Sequence, residues 1–207
     1  MTKNFLIVIA FFLASLTAAG QASGEAQMRE KIAQAAQAVK SLQCDFVQTK
    51  QLRLLNDKMV SRGKMHYANG GKLRWEYTSP YTYLLIMNGD RVLLKNKDRQ
   101  DVIDMQQNKL FREIGNIMMN SVVGKCLSDD RNFRTQLTTE GGEWVATLTP
   151  LRKEMKQMFQ TITLHFDQRQ GVVNRVVLKE KGGDETVIEL TNIRKNETVP
   201  ASVFAVE

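Results

Sequence analysis

Alternation constrains this chain more than any other feature. From Gln43 to Ile193, segment after segment exchanges apolar and polar residues at each step, and Gly, Asn or Asp marks most junctions. Leu73, Trp75 and Tyr77 alternate with Arg74, Glu76 and Thr78. Cys44, Phe46 and Gln48 alternate with Asp45, Val47 and Thr49, and Ile162, Leu164 and Phe166 with Thr161, Thr163 and His165. A period of two sends successive side chains to opposite faces of a strand. Between the segments, Asn69-Gly-Gly71, Asn88-Gly-Asp90, Glu140-Gly-Gly142 and Gly182-Gly-Asp184 supply residues that tolerate positive φ. The pattern predicts about eleven strands joined mostly by tight turns, hence one large curved antiparallel sheet or open β-barrel. The fold class is mainly β in an α+β setting.

Two stretches change period. Residues 25–42 repeat Met28, Ile32, Ala35, Ala36 and Val39 at helical spacing. Residues 106–124 repeat Leu110, Phe111, Ile114, Ile117, Met118, Ser121 and Val122, with Met119 and Val123 widening the stripe. Two helices against so many strands belong inside the curve or across its mouth. A wide Met-rich stripe suits a core helix, the reading favoured on sequence alone, and also a helix that covers a deformable apolar cavity. A single helical turn is expected after Pro150, and residues 54–58 read as a short polar connection. No repeat or low-complexity linker divides the chain, so residues 21–207 form a single domain.

Lys3, the apolar run Phe5 to Leu13 and the small residues up to Gly20 have the layout of a secretory signal peptide spanning residues 1–20, with cleavage after 20 or 22. The run is shorter than the ~20 residues that cross a bilayer. An exported, periplasmic protein is therefore expected. That compartment permits a disulfide between Cys44 and Cys126, but both lie in apolar phases and fit buried free thiols equally well.

Catalytic constellations are missing from the sequence. His66 and His165 fall on the polar phases of their strands, read as exposed, and have no partner at metal-ligand spacing. No nucleophile elbow, zinc-protease helix or phosphate loop occurs. Asp129-Asp130 reads as solvated or helix-capping. The net charge of +7 is compatible with anionic membrane surfaces, but the basic residues form no long run, and a solvated surface with a modest excess of Lys is the favoured reading. Arg74 also lies on the face opposite Trp75, which argues against base stacking and nucleic acid. No cofactor or metal is expected. An apolar sheet face with amphipathic helices points instead to binding of something apolar.

Asp45-Phe-Val-Gln-Thr49, Gly63-Lys-Met-His-Tyr67, Leu73-Arg-Trp-Glu-Tyr-Thr-Ser-Pro80, the hairpin at Asn88-Gly-Asp90, Leu148-Thr-Pro150, Met155-Lys-Gln-Met-Phe159 and Phe204 follow one another in an order that resembles the LolA family of periplasmic lipoprotein carriers. The resemblance implies an open β-barrel with helices as a lid. It implies a monomeric carrier, not an enzyme, that takes lipoproteins from an inner-membrane lipoprotein-releasing transporter, shields their acyl chains and passes them to an outer-membrane acceptor. On that view Phe46, Met65, Tyr67, Leu73, Trp75, Tyr77, Leu85, Leu164 and Phe166 line the cavity, and Ile114, Ile117, Met118 and Val122 form the inner face of the lid. Many carriers hold the lid with an Arg in a Lys-Arg-Pro turn. Here that turn is Ala68-Asn69-Gly70, which leaves Asn69 as the gating candidate. Two alternatives remain open: a sensor or interaction module of the same architecture for lipids or acylated ligands, and a secreted hydrolase with a spatially assembled site.

Overall fold

The structure, a computed structural model, describes residues 24–107, 112, 115, 117, 119–121 and 123–206. The expected signal peptide and the lid candidates Ile114, Met118 and Val122 lie outside the described residues.

Helix α1 (24–38) leads into β1 (Ser41–Leu52), β2 (Asp57–Ala68), β3 (Lys72–Ser79), β4 (Tyr83–Asn88), β5 (Arg91–Asn96) and β6 (Gln100–Asp104). The described positions within 112–121 are helical and constitute α2, and a 3-10 helix follows at Lys125–Ser128. The second half contains β7 (Phe133–Glu140), β8 (Glu143–Pro150), α3 (Lys153–Met158), β9 (Phe159–Asp167), β10 (Val172–Glu180) and β11 (Glu185–Lys195), then a 3-10 helix at Ala201–Phe204. All eleven strands form one antiparallel sheet in the order β6-β5-β4-β3-β2-β1-β11-β10-β9-β8-β7. β1 pairs with β11, so the two halves meet mid-sheet, while β6 and β7 are its edges and the barrel stays open. The sheet curls enough that Met65 on β2 and Leu148 on β8 join one apolar cluster.

Turn chemistry places the hairpins where the Gly-containing junctions predict them. Gly70, Gly71, Gly89, Gly141, Gly142 and Gly183 all take positive φ. Two expectations need correction. The first helix stops at 38 rather than 42, because Ser41 and Leu42 already belong to β1. Asn196 ends the helix: its carboxamide accepts from the Lys40 N–H (2.7 Å) and donates to Ala38 O (3.1 Å), and its backbone sits at φ 61°. The connection at 54–58 is not polar either. Leu54 and Leu55 occupy its tip, and Asp57 already starts β2.

α1 buries Ile32 and Ala36 against the concave face, and Val39, just past its end, is buried there too. Arg29 ties it to the segment beyond α2 by donating to Leu127 O at 2.6 Å. Residues 199–206 cross the convex face instead. Phe204 and Val206 pack there with Ile86 and Leu93, and Arg74 and Asn88 donate to the carbonyls of Val203 and Phe204.

Candidate functional site

The inward phase of the strands defines the candidate site. In β1 it runs Leu42, Cys44, Phe46, Gln48, and cross-strand register carries it to Tyr67, Met65, Gly63 and Ser61 on β2. Register then places Leu73, Trp75 and Tyr77 beside Tyr67, Met65 and Gly63, and Met87 and Leu85 beside Leu73 and Trp75. In the second half, Leu164 and Phe166 face inward between Val176 and Val173 on one side and Ala146 and Trp144 on the other.

These side chains pack on one another. Met65, Leu73, Leu164 and Phe166 are fully buried, Phe46, Tyr67 and Trp75 nearly so, and Tyr77 and Leu85 are half-buried against the same cluster. Phe46 stacks on Trp75 with ring centroids 4.3 Å apart and meets Tyr77 edge-on at 5.2 Å. Gly63 makes this stack possible. A Cβ there would stand 2.0 Å from Glu76 O and 2.4 Å from Phe46 Cζ, so the Phe46 ring lies directly over β2.

Packing is uneven along the barrel. Near α1 the inward residues are sealed. Toward the opposite end Gln48, Lys50, Tyr77 and Ile188 become half-exposed and Met59 is exposed. This end is lined by hydroxyls as well as rings. Tyr77 donates to Gln48 Oε1 (2.9 Å), Ser61 Oγ lies 3.4 Å from Tyr81 Oη, and Tyr77 touches both Tyr81 and Tyr83. Burial pushes the Tyr77 phenol pKa above its usual value, so it remains a donor. Lys50 pairs with Glu180 at 2.7 Å and Asp184 at 3.8 Å, clasping β1 to the β10–β11 turn. A cleft of about 310 Å³ opens beside this rim, lined by Glu76, Tyr77, Thr82, Tyr83, Lys95 and Lys97 among others.

α2 covers the first-half face. Gly115 is buried, and a Cβ there would sit 3.2 Å from Met87 Sδ and 3.3 Å from Met105 Sδ. Ile117 and Met119 pack half-buried on the core. The described part of α2 therefore stands on methionine thioethers, which adapt to changes in shape more readily than branched side chains do. Met87 and Met105 carry this contact and were absent from the predicted site, although Met87 shares the phase of Leu85.

Asn69 is placed at the end sealed by α1. Its Oδ1 accepts from Tyr67 Oη (3.0 Å) and its N–H donates to Lys40 O (2.8 Å). Among the described residues these bonds join β2 to the α1–β1 junction rather than to α2. Both cysteines are buried free thiols, each pushed up to about 12 chiefly by burial. The histidines lie on the convex face as their phase predicts, but half-buried rather than exposed. His165 Nδ1 meets Glu143 Oε2 at 3.1 Å, and Glu143 also accepts from Asn174. Among the described residues no cluster of His, Cys, Asp and Glu has the geometry to hold a metal ion.

The sequence profile of the family described as "Outer membrane lipoprotein carrier protein LolA" matches residues 37–207. A protein of Chromobacterium violaceum named outer-membrane lipoprotein carrier protein is 26% identical over 205 residues, covering 97% of this chain and 91% of that protein. Another of the same name from Nitrosospira multiformis is 25% identical, covering 99% and 93%. Among solved structures, an uncharacterised conserved protein from Thermus thermophilus superposes with a TM-score of 0.53 at 8% identity, over 87% of this chain and 92% of that one. At that identity the likeness is one of fold.

Proposed function

This chain belongs to the LolA family, and on that premise we propose that it is a lipoprotein carrier whose curved sheet shields acyl chains from water. The site is the concave face of β1–β5 and β8–β11 beneath α1 and α2. The observation that carries the reading is the composition of that face. Its inward side chains are almost wholly apolar, and in the first half the described part of its cover is α2, a helix resting on Met87 and Met105.

Among the described residues, the inward side chains pack on one another. Loading then requires exchange, with acyl methylenes replacing the contacts that Phe46, Trp75 and the methionines make with one another. Each methylene removed from water contributes about 0.8 kcal/mol, so a chain of ordinary length more than offsets lifting one helix off thioether contacts. Cargo with two or three chains would shift the population toward the open form in proportion to its preference for it. Tyr77, Gln48 and Tyr81 at the looser end would meet the polar junction where the acyl chains join the protein part of the cargo. No bond is made or broken, so the reading needs no catalytic group. It places the protein in the periplasm, between an inner-membrane lipoprotein-releasing transporter and an outer-membrane acceptor.

The test is extraction of the protein purified under native conditions, followed by mass spectrometry, alongside titration with a synthetic diacylated lipopeptide. The expected result is saturable binding of the lipopeptide and none of the same peptide without acyl chains. A protein that binds neither, or both alike, would overturn the proposal.

A further inference from the structure

Large apolar side chains exposed on a folded surface are common singly and call for explanation only when they gather. Here they gather. Leu54 is 93% exposed and Leu55 72%, side by side at the tip of the β1–β2 hairpin, with Met59 and Val60 exposed on the arm behind them. The arm stands proud because β2 outruns its neighbour: pairing with β3 ends at Arg62↔Ser79, so residues 57–61 extend beyond β3. The same end of the barrel carries exposed Met158 and Tyr81. Hydrogen bonds hold these pieces together: Arg53 N–H to Asp184 Oδ1 (3.0 Å), Lys181 N–H to Met158 O (2.8 Å), and Ser61 Oγ to Tyr81 Oη (3.4 Å). The turn needs a residue at positive φ, which Asn56 supplies at 48°, but nothing in its geometry needs two leucines.

Charge at this end is uneven. Arg53, Lys58, Lys156 and Lys181 are exposed around the leucines. Of the nearby acids, Glu180 and Asp184 are engaged by Lys50, while Asp57 and Glu154 are exposed and Glu185, opposite Gln51, is half-exposed, so the four cations outnumber the acids left facing solvent. We propose that the β1–β2 tip is a membrane-docking element: Leu54 and Leu55 enter the interfacial layer of a bilayer, and Arg53, Lys58, Lys156 and Lys181 meet anionic head groups. The shape favours a bilayer over a protein partner. The tip is convex and narrow, and a protein would have to offer a matching pocket, whereas a lipid interface accepts any protruding apolar point ringed by cations.

The proposal does not rest on the carrier reading, since the leucines lie on the outer rim and no acyl ligand takes part. Docking there would also bring the looser end of the interior, with Tyr77 and Gln48, up to the lipid surface.

The test is co-sedimentation of the full chain with vesicles of phosphatidylethanolamine and phosphatidylglycerol, and with vesicles of phosphatidylcholine alone. Binding to the anionic vesicles is expected, weakening as salt is raised, and falling about tenfold or more in the double variant Leu54→Ser, Leu55→Ser. Both positions are solvent-exposed, so the variant keeps its fold. A second arm attaches an environment-sensitive fluorophore to Leu54→Cys, selectively because the native thiols are buried, and expects a blue-shifted, brighter emission on adding anionic vesicles. No sedimentation of the parent protein, equal sedimentation of the double variant, or an unchanged emission would overturn the proposal.

Discussion

At the residue scale, the Phe46–Trp75 stack and the glycine beneath it decide whether the interior is intact. Gly63→Ala forces a Cβ against Glu76 O and the Phe46 ring, and backbone oxygen cannot swing away as a side chain can. The expected loss is about 2 kcal/mol or more, read as a lower urea midpoint at unchanged slope. Trp75 is a poor place for a charge in a binding test. It is 7% exposed and stacked, so a carboxylate there would be buried without a partner and would unfold the protein before reporting on any ligand. His66 gives a pH signature. Its pKa is lowered, first by burial and then by Arg74, with Arg194 and Lys64 adding and Glu76 opposing. The unfolded chain therefore takes up the proton first, and stability present above the ordinary value of 6.5 is lost as pH falls through it. His66→Gln is expected to flatten stability against pH between about 7 and 5, measured by urea titration at each pH. Cys44 and Cys126, both pushed up to about 12, are expected to resist iodoacetamide at pH 8 in native protein and react in denaturant.

At the scale of elements, legibility follows how local each determinant is. Strand phase in β1, β3 and β9 was readable because neighbouring residues alone set it. The inward faces of Leu73, Trp75 and Tyr77, and of Leu164 and Phe166, come from the same alternation. The end of α1 was not readable, since it depends on Asn196, 158 residues from the Ala38 it bonds. Leu54 and Leu55 were folded into a polar connection because hairpin length hides how far a tip protrudes. That depends on where β3 stops pairing with β2. The α2 contact was readable only in part: the Met-rich stripe announced an adaptable face, but its seat on Met87 and Met105 emerges from the sheet's curl. This seat makes a prediction for α2. Gly115→Leu has no room between the two sulfurs and should lift the helix, increasing binding of an apolar fluorescent dye several-fold while the far-UV spectrum stays that of a β protein.

At the scale of the whole molecule, the sheet solves two burial problems with one set of strands. Its concave face carries the apolar interior, and part of its convex face is closed by residues 199–206. Ending the chain before Val199 would uncover Ile86 and Leu93 and leave Asn88 without its Phe204 carbonyl, so the truncated protein should unfold at lower urea. What alternation could not decide is whether the inward side chains enclose a void or fill it. That depends on how tightly eleven strands curl and how closely two helices settle on them; among the described residues the inward side chains pack on one another. The carrier account therefore requires that acyl chains displace protein contacts rather than enter a standing hole. The most direct measurement is hydrogen exchange of α1, α2 and the strands beneath them with and without a diacylated lipopeptide. The account predicts that the acylated peptide changes protection in α2 and in the Phe46, Trp75 and Met87 strands, while the unacylated peptide changes none. Exchange that is identical in all three conditions would contradict it.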